Sequence, residues 1–152
     1  MTPSIRGATP DEADFLTELM RRSKAYWGYT AKWMAAVRDT MQITADQIAT
    51  HEVFVLEAGD QTVGFCHFYK RPDAIYLEDL FIDPTFIGQG YGKILFQHVI
   101  HLAQTWGFEK IIFEADPNAE AFYRKMGAEI IAYHPSPLFE DRLLPQMQYS
   151  IT

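Results

Sequence analysis

Apolar positions recur at two different spacings along the chain, and the change of spacing divides it. Phe15, Leu16, Leu19 and Met20 follow one another at helical intervals. Thr9-Pro10-Asp11-Glu12 stands ahead of them as a helix start. Thr9 suits the N-cap, Pro10 the first helical position, and Glu12 the reciprocal end of a capping box. A short strand over 4–7 is expected before it. Trp33, Met34, Val37 and Met41 predict a second helix over about 30–41, and residues 44–50 suit a short extra turn. From Val53 onward the period is that of strands. Residues 53–56, 62–69 and 74–82 read as strands joined at Gly59-Asp60 and Arg71-Pro72-Asp73, turns short enough to predict antiparallel neighbours.

Behind Pro84 the run Gly88-Gln89-Gly90-Tyr91-Gly92 opens a helix that extends to about Trp106. Leu95, Val99, Leu102 and Trp106 are expected to form its buried stripe, with Lys93, Gln97, His101 and Gln104 facing outward. Gly107 ends it, and 110–115 is a strand of the buried type. A strand, helix and strand in that order need a crossover connection, so this pair is expected to be parallel. Asp116-Pro117-Asn118 leads into a short helix over 119–126, followed by a strand over 128–133. A loop over 135–145 carries three prolines, and 146–151 alternates as a last strand. Without repeats or linkers, the chain is expected to be a single mixed α/β domain over 1–152.

Composition narrows the class. Of the 152 residues 48% are apolar and 22% charged, enough apolar surface to offset the entropy of ordering, which excludes disorder. The net charge of −7 argues against a nucleic-acid partner, which calls for a basic face. Cys66 is the one cysteine, so no intrachain disulfide forms and a cysteine zinc site is not expected. The N-terminus carries Asp11, Glu12 and Asp14 before any apolar run, unlike a secretory leader. No stretch approaches the ~18 apolar residues needed to span a bilayer. A cytoplasmic location with no membrane partner is the expectation.

The glycine loop is the first feature with chemistry. Glycines between a strand and a helix allow a ligand to approach the backbone, and the helix start offers amide hydrogens to an anion. A plain flexible turn explains the glycines equally well. Two phosphate motifs fail: only three residues separate Gly88 from Gly92, and Ile94 follows Lys93, which excludes a Walker A loop. Lys93 stands where the dinucleotide fingerprint needs a further glycine.

The run Leu77-Glu78-Asp79-Leu80-Phe81-Ile82-Asp83-Pro84, then Gly88-Gln89-Gly90-Tyr91-Gly92-Lys93, resembles the acetyl-CoA site of the GNAT superfamily of N-acetyltransferases. Asn118-Ala119-Glu120-Ala121-Phe122-Tyr123-Arg124-Lys125-Met126-Gly127-Ala128 is similar to that superfamily's next motif. The two blocks occur in the family's order. The resemblance covers about residues 52–152 well and the first ~50 only in outline. One departure is Ile87, where the family usually carries Gln or Arg; Ile87 offers a phosphate neither charge nor donor.

The resemblance implies a mostly antiparallel sheet of about six to seven strands, flanked by about four helices, with a parallel pair splayed at the acetyl-CoA site. It implies that the backbone of Gly88, Gln89, Gly90, Tyr91, Gly92 and Lys93 cradles the pyrophosphate. Leu80, Phe81 and Ile82 would pair with the pantetheine arm like an extra strand, Asn118 would bond that arm, and Tyr123 would reach the thioester sulfur. The implied reaction is direct acetyl transfer from acetyl-CoA to a primary amine, and a small-molecule acceptor is expected. A protein amine and a non-catalytic acyl-CoA-binding module are the alternatives. The family allows a homodimer.

Such a transfer needs a proton removed from the amine and one supplied to the leaving thiolate. Tyr123 is the candidate acid; the alternative is a helix aromatic packed in the core. Glu78 is the candidate base, directly or through a water. Glu78 and Asp79 point to opposite faces of their strand, and which one meets the acceptor stays open. Tyr26, Trp27 and Tyr29 are candidate acceptor-binding rings or, equally, a core plug under the helical hairpin. His98 and His101 are three apart on a helix but lack a third ligand, so no metal is expected. His134 is expected to be a solvated loop residue, and Cys66 a small buried one.

Overall fold

The computed structural model describes residues 2–136 and 142–151. Among them, in chain order, are β1 (Ser4–Gly7), α1 (Ala13–Ala25), α2 (Ala31–Val37), α3 (Ala45–Thr50), β2 (Glu52–Ala58), β3 (Gln61–Lys70) and β4 (Ile75–Ile82). Then follow α4 (Tyr91–Thr105), β5 (Lys110–Glu114), α5 (Glu120–Lys125), β6 (Glu129–Pro135) and β7 (Leu143–Ser150). The strands form a seven-stranded sheet in the order β1-β2-β3-β4-β5-β7-β6. β1–β2, β2–β3, β5–β7 and β6–β7 are antiparallel, while β4 and β5 are parallel. This is the mixed, mostly antiparallel α/β architecture the sequence implied. Parallel pairing covers Ile75↔Ile111 and Tyr76↔Ile112, although β4 runs on to Ile82.

The chain divides into two compact units. The first takes residues up to Phe68 together with Asp79–Phe96. Its core joins Leu16, Leu19 and Met20 of α1 to Ile43, Ile48, Val53, Val55 and Phe65, with Phe81 packed against them. Each such side chain contributes about 1.5–3 kcal/mol by leaving water. The Thr17 hydroxyl fastens the connection by donating to Ile43 O and accepting from Ile43 N–H, both at 3.1 Å.

The helix start read from Thr9 to Glu12 exists as a 3-10 turn, Pro10–Glu12, that runs into α1. The Glu12 carboxylate accepts from Thr9 N–H at 2.9 Å and pairs with Arg6 at 2.8 Å. Arg6 is the larger cause that lowers the Glu12 carboxyl to about 2, against the opposing effect of burial. A lowered carboxyl stabilises the fold above its unfolded value and loses that contribution as pH falls. Glu12→Gln is therefore expected to flatten the acid side of the stability profile between pH 4.5 and about 2, read as urea midpoint against pH.

α2 is shorter than the expected 30–41. Thr30 caps its start by accepting from Trp33 N–H. Its end is set by α1: Arg21 donates to the carbonyls of Arg38 and Met41 at 3.0 and 3.2 Å. The expected extra turn is the helix α3, closed by a Thr44–Gln47 capping box.

The second unit takes Tyr69–Glu78 and the residues from Gln97 onward. Ile111, Phe113, Ala115, Tyr123, Ala128 and Met147 are buried in it. β7 begins at Leu143, so the last strand starts earlier than expected and includes Pro145, read from sequence as loop. The carbonyl of Pro145 accepts from Ala115 N–H, and β5 has ended by this point, so the missing proline N–H costs no ladder bond. Residues 137–141 of the expected three-proline loop lie outside the described residues. The stripe on α4 also differs: Leu95, Phe96, Val99 and Ala103 are buried, while Leu102 and Trp106 are half-buried. A helix facing a sheet buries a stripe wider than one residue per turn. Trp106 instead lies under the Lys70 ammonium, 4.2 Å from its centroid. Among the described residues no helix is long and apolar enough to cross a membrane.

Candidate functional site

In the first unit, β4 leads into the glycine loop through Asp83. Its carboxylate accepts from Thr85 N–H at 3.1 Å, capping a 3-10 turn over Pro84–Phe86, and pairs with Arg22 of α1 at 2.8 Å. Arg22 and the Thr85 amide hold the Asp83 carboxyl below its ordinary value, overcoming burial. Ile87, the departure from the family pattern, closes this turn with extended backbone. Gly88 and Gly90 follow at φ +86° and +85°, the left-handed region that costs other residues about 1–2 kcal/mol. A Cβ built on either meets no atom within 4 Å, so the glycines serve conformation and leave the loop open.

The first intrahelical bond of α4 is Ile94 N–H to Gly90 O. The amides of Tyr91, Gly92 and Lys93 thus lie ahead of it, at the positive end of a 15-residue helix. Two left-handed glycines, an open approach and a helix start fit a pyrophosphate without needing a side-chain donor at position 87. Gly90→Ala is expected to weaken acetyl-CoA binding by about tenfold in a calorimetric titration, at near-wild-type helix content, since ~1.4 kcal/mol of backbone strain is a factor of ten.

Alternation along β4 separates its two faces. Asp79 shares one with Phe81, which packs on the first unit's core; Glu78, Leu80 and Ile82 share the other. Asp79 is bonded through Oδ2 to His67 Nδ1 at 3.0 Å, and His67 Nε2 lies 2.8 Å from His51 Nδ1. Burial, then the neighbouring His67 ring, lowers the His51 pKa from its ordinary value, and Asp46 opposes them. Neither histidine was singled out as a partner of a β4 carboxylate from sequence. The pairing depends on strand register, which places His67 beside Val53.

The second unit holds the other candidates. Asn118 stands on a 3-10 turn, Pro117–Ala119, capped by Asp116. Asp116 Oδ1 accepts from both the backbone N–H and the Nδ2 of Asn118, at 2.8 and 2.9 Å. Arg142 pairs with the other oxygen of Asp116 at 3.1 Å. Tyr123 on α5 is 7% exposed, its ring 4.4 Å from Phe113 and 5.0 Å from Phe122. Glu78 is exposed, and its charge together with that of Glu114 acts on Tyr76. Burial first, then those carboxylates, pushes the Tyr76 phenol up to about 12. His134 pairs with Glu114 at 3.1 Å.

The aromatic stretch is not a core plug at Tyr26 and Trp27, which are 53% and 44% exposed and meet edge to face. Tyr29 instead stacks on Trp33 at 4.0 Å, with the Lys24 ammonium 5.4 Å from its ring. Cys66 is fully buried, and burial raises its thiol to about 12. Among the described residues no group of three or more His, Cys, Asp or Glu is placed to hold a metal ion.

The peptidyl-lysine N-acetyltransferase YjaB of Salmonella typhimurium is 40% identical over 71 residues, 47% of this chain and 45% of that protein. The glucosamine 6-phosphate N-acetyltransferase of Trypanosoma brucei brucei is 31% identical over 52 residues, 34% of this chain and 35% of that protein. The chain thus spans less than half the length of these curated relatives. The PaiA N-acetyltransferase of Thermoplasma acidophilum, solved in complex with coenzyme A, superposes with a TM-score of 0.80 over 99% of both chains at 14% identity, a likeness of fold. The model of the acetyltransferase (GNAT) family matches residues 15–128, more than half of the sequence, and the chain belongs to that family.

Proposed function

We propose that this protein is an acetyl-CoA-dependent N-acetyltransferase whose acceptor is a primary amine carried by a protein, a lysine side chain foremost. The observation that carries the acceptor is the 40% identical stretch shared with a peptidyl-lysine N-acetyltransferase. It favours a protein amine over the small molecule expected from the sequence. The exposed rings of Tyr26 and Trp27 suit a macromolecular acceptor, since a protruding aromatic pair offers contact area to a surface. A small acceptor is the second reading, favoured by the shorter stretch shared with glucosamine 6-phosphate N-acetyltransferase.

Acetyl-CoA supplies an activated acyl thioester. The amides of residues 88–93 hold its pyrophosphate, the backbone of Leu80, Phe81 and Ile82 lies along its arm, and Asn118 bonds that arm from a position fixed by Asp116. Tyr26, Trp27 and Tyr29 receive the acceptor. A carboxylate of β4 takes the amine's proton, directly or through a water, and Glu78 is the one the sequence names. Tyr123 donates to the departing thiolate. Much of the acceleration comes from holding both reactants in place, an effect of up to ~7–11 kcal/mol, so few chemical groups are needed. Transfer is direct: Cys66 is buried with a raised thiol and does not suit an acyl carrier. The organisation as one domain and a cytoplasmic location are part of this proposal, and the family match supports the first by running through both compact units.

The test is thiol release from acetyl-CoA across an amine panel containing single-lysine peptides, glucosamine 6-phosphate and simple alkylamines. Turnover is expected to be highest with the peptides. Highest turnover with glucosamine 6-phosphate establishes the second reading. Saturable acetyl-CoA binding with no turnover on any amine points to a binding module instead.

A further inference from the structure

Three ionisable side chains, one at the end of α3, one on β3 and one on β4, form one hydrogen-bonded row within the first unit. His51 Nδ1 lies 2.8 Å from His67 Nε2, and His67 Nδ1 lies 3.0 Å from Asp79 Oδ2. His67 is 1% exposed, and the Asp79 side chain is 17% exposed.

The hydrogens of this row follow from the chemistry of its members. An ionised carboxylate only accepts, so His67 carries its hydrogen on Nδ1. The Nε2 of that neutral ring is then an acceptor, and His51 donates to it from Nδ1. Both donors therefore point toward Asp79. The row fixes one oxygen of a carboxylate that is not sealed from solvent, and it connects that carboxylate to a ring at the end of α3.

Asp79 also stands at a particular point on β4. The glycine loop follows the C-terminal end of the strand, so an arm laid back from it along Leu80–Ile82 brings its thioester end to Asp79 and Glu78. On the face of Asp79 lies Phe81, packed against the cluster built by α1 and α3. Glu78 lies on the other face of the strand.

We infer that Asp79 is the carboxylate that takes the acceptor's proton, and that His67 and His51 are positioning residues that hold it aimed. This rests on the acetyl-transfer reading above. In the step, an ammonium N–H bond breaks and its electron pair stays on nitrogen, ready to attack the thioester carbonyl. The proton goes to Asp79 Oδ1, or to a water held there, and leaves to solvent. Protonation of His51 places a positive charge at the far end of the row and weakens the base. Burial, then His67, disfavours the charged His51 ring, and Asp46 favours it. kcat/KM is therefore expected to fall with pH through a transition below 6.5, the ordinary histidine value.

The experiment measures kcat, KM and acetyl-CoA Kd for the full chain, with a single-lysine peptide as probe or the best amine of the panel. Asp79→Asn is expected to lower kcat/KM on the order of 100-fold, more than Glu78→Gln does, at unchanged acetyl-CoA Kd. His67→Leu, which removes the donor, is expected to lower kcat about tenfold, and His67→Asn, whose amide nitrogen takes the place of Nδ1, to restore most of it. His51→Gln is expected to abolish the transition below pH 6.5. Nitrogen NMR of the imidazoles is expected to find His67 protonated on Nδ1 in the wild-type protein. A larger loss in Glu78→Gln than in Asp79→Asn overturns the inference, as does a pH profile that His51→Gln leaves in place or a hydrogen on His67 Nε2. Absence of turnover on every amine in the wild type refutes the acetyl-transfer reading itself, and the inference with it.

Discussion

Tyr123→Phe is expected to lower kcat on the order of 100-fold while leaving acetyl-CoA affinity within about threefold. The Tyr123 ring is buried, 4.4 Å from Phe113 and edge-on to Phe122. Phenylalanine preserves that packing and removes only the hydroxyl, so a change in rate reports on the hydroxyl and not on the fold. The departing thiolate is the group that needs the proton, and a positioned acid contributes about 10²–10⁴-fold. Tyr123→Ala is a different experiment, because losing a buried ring costs about 3–5 kcal/mol of stability. The check is single-turnover acetyl transfer with chemistry rate-limiting. A kcat equal to wild type removes Tyr123 from the acid role and leaves it as a core aromatic.

Gly64→Ala is expected to destabilise the protein by about 1–3 kcal/mol and to weaken donor binding as well. A Cβ built on Gly64 falls 2.6 Å from Phe81 O and 2.6 Å from Ile82 Cδ1, with Leu95 Cδ1 at 3.3 Å. The isoleucine methyl can rotate aside, but the carbonyl belongs to β4 and moves only with the strand. Phe81 is one of the residues expected to lie along the donor arm, so a displaced strand affects folding and donor affinity through one cause. The urea midpoint reads the first and calorimetric titration of acetyl-CoA the second. A variant with both at wild-type values refutes the close approach.

Much of the fold was legible because its signals are local. The capping residue Thr9, the switch from helical to strand spacing at Val53, and the glycine loop ahead of α4 each act within a few residues. The elements that differed are set at a distance. α2 stops where Arg21 of another helix takes the carbonyls of Arg38 and Met41, which no propensity within 30–41 records. Pro145 reads as loop in isolation, yet it sits in β7 because β5 has ended beside it.

The site divides in the same way. The left-handed turns at Gly88 and Gly90 were legible, since glycines between a strand and a helix permit positive φ. The surroundings of the β4 carboxylates were not. Asp79 is held because His67 lies beside it, and His67 is 12 residues away along the chain, across a turn. The exposure of Tyr26 and Trp27 was likewise open, because aromatic content is the same for a core plug and a surface pair.

Amine-dependent release of free thiol from acetyl-CoA, measured with the purified chain on the peptide and small-amine panel, tests the central claim most directly. The expected result is saturable acetyl-CoA binding and thiol release that requires an amine and yields the corresponding amide, with Tyr123→Phe slower by about two orders of magnitude. Failure of acetyl-CoA to bind, or thiol release that is the same with and without amine, contradicts it.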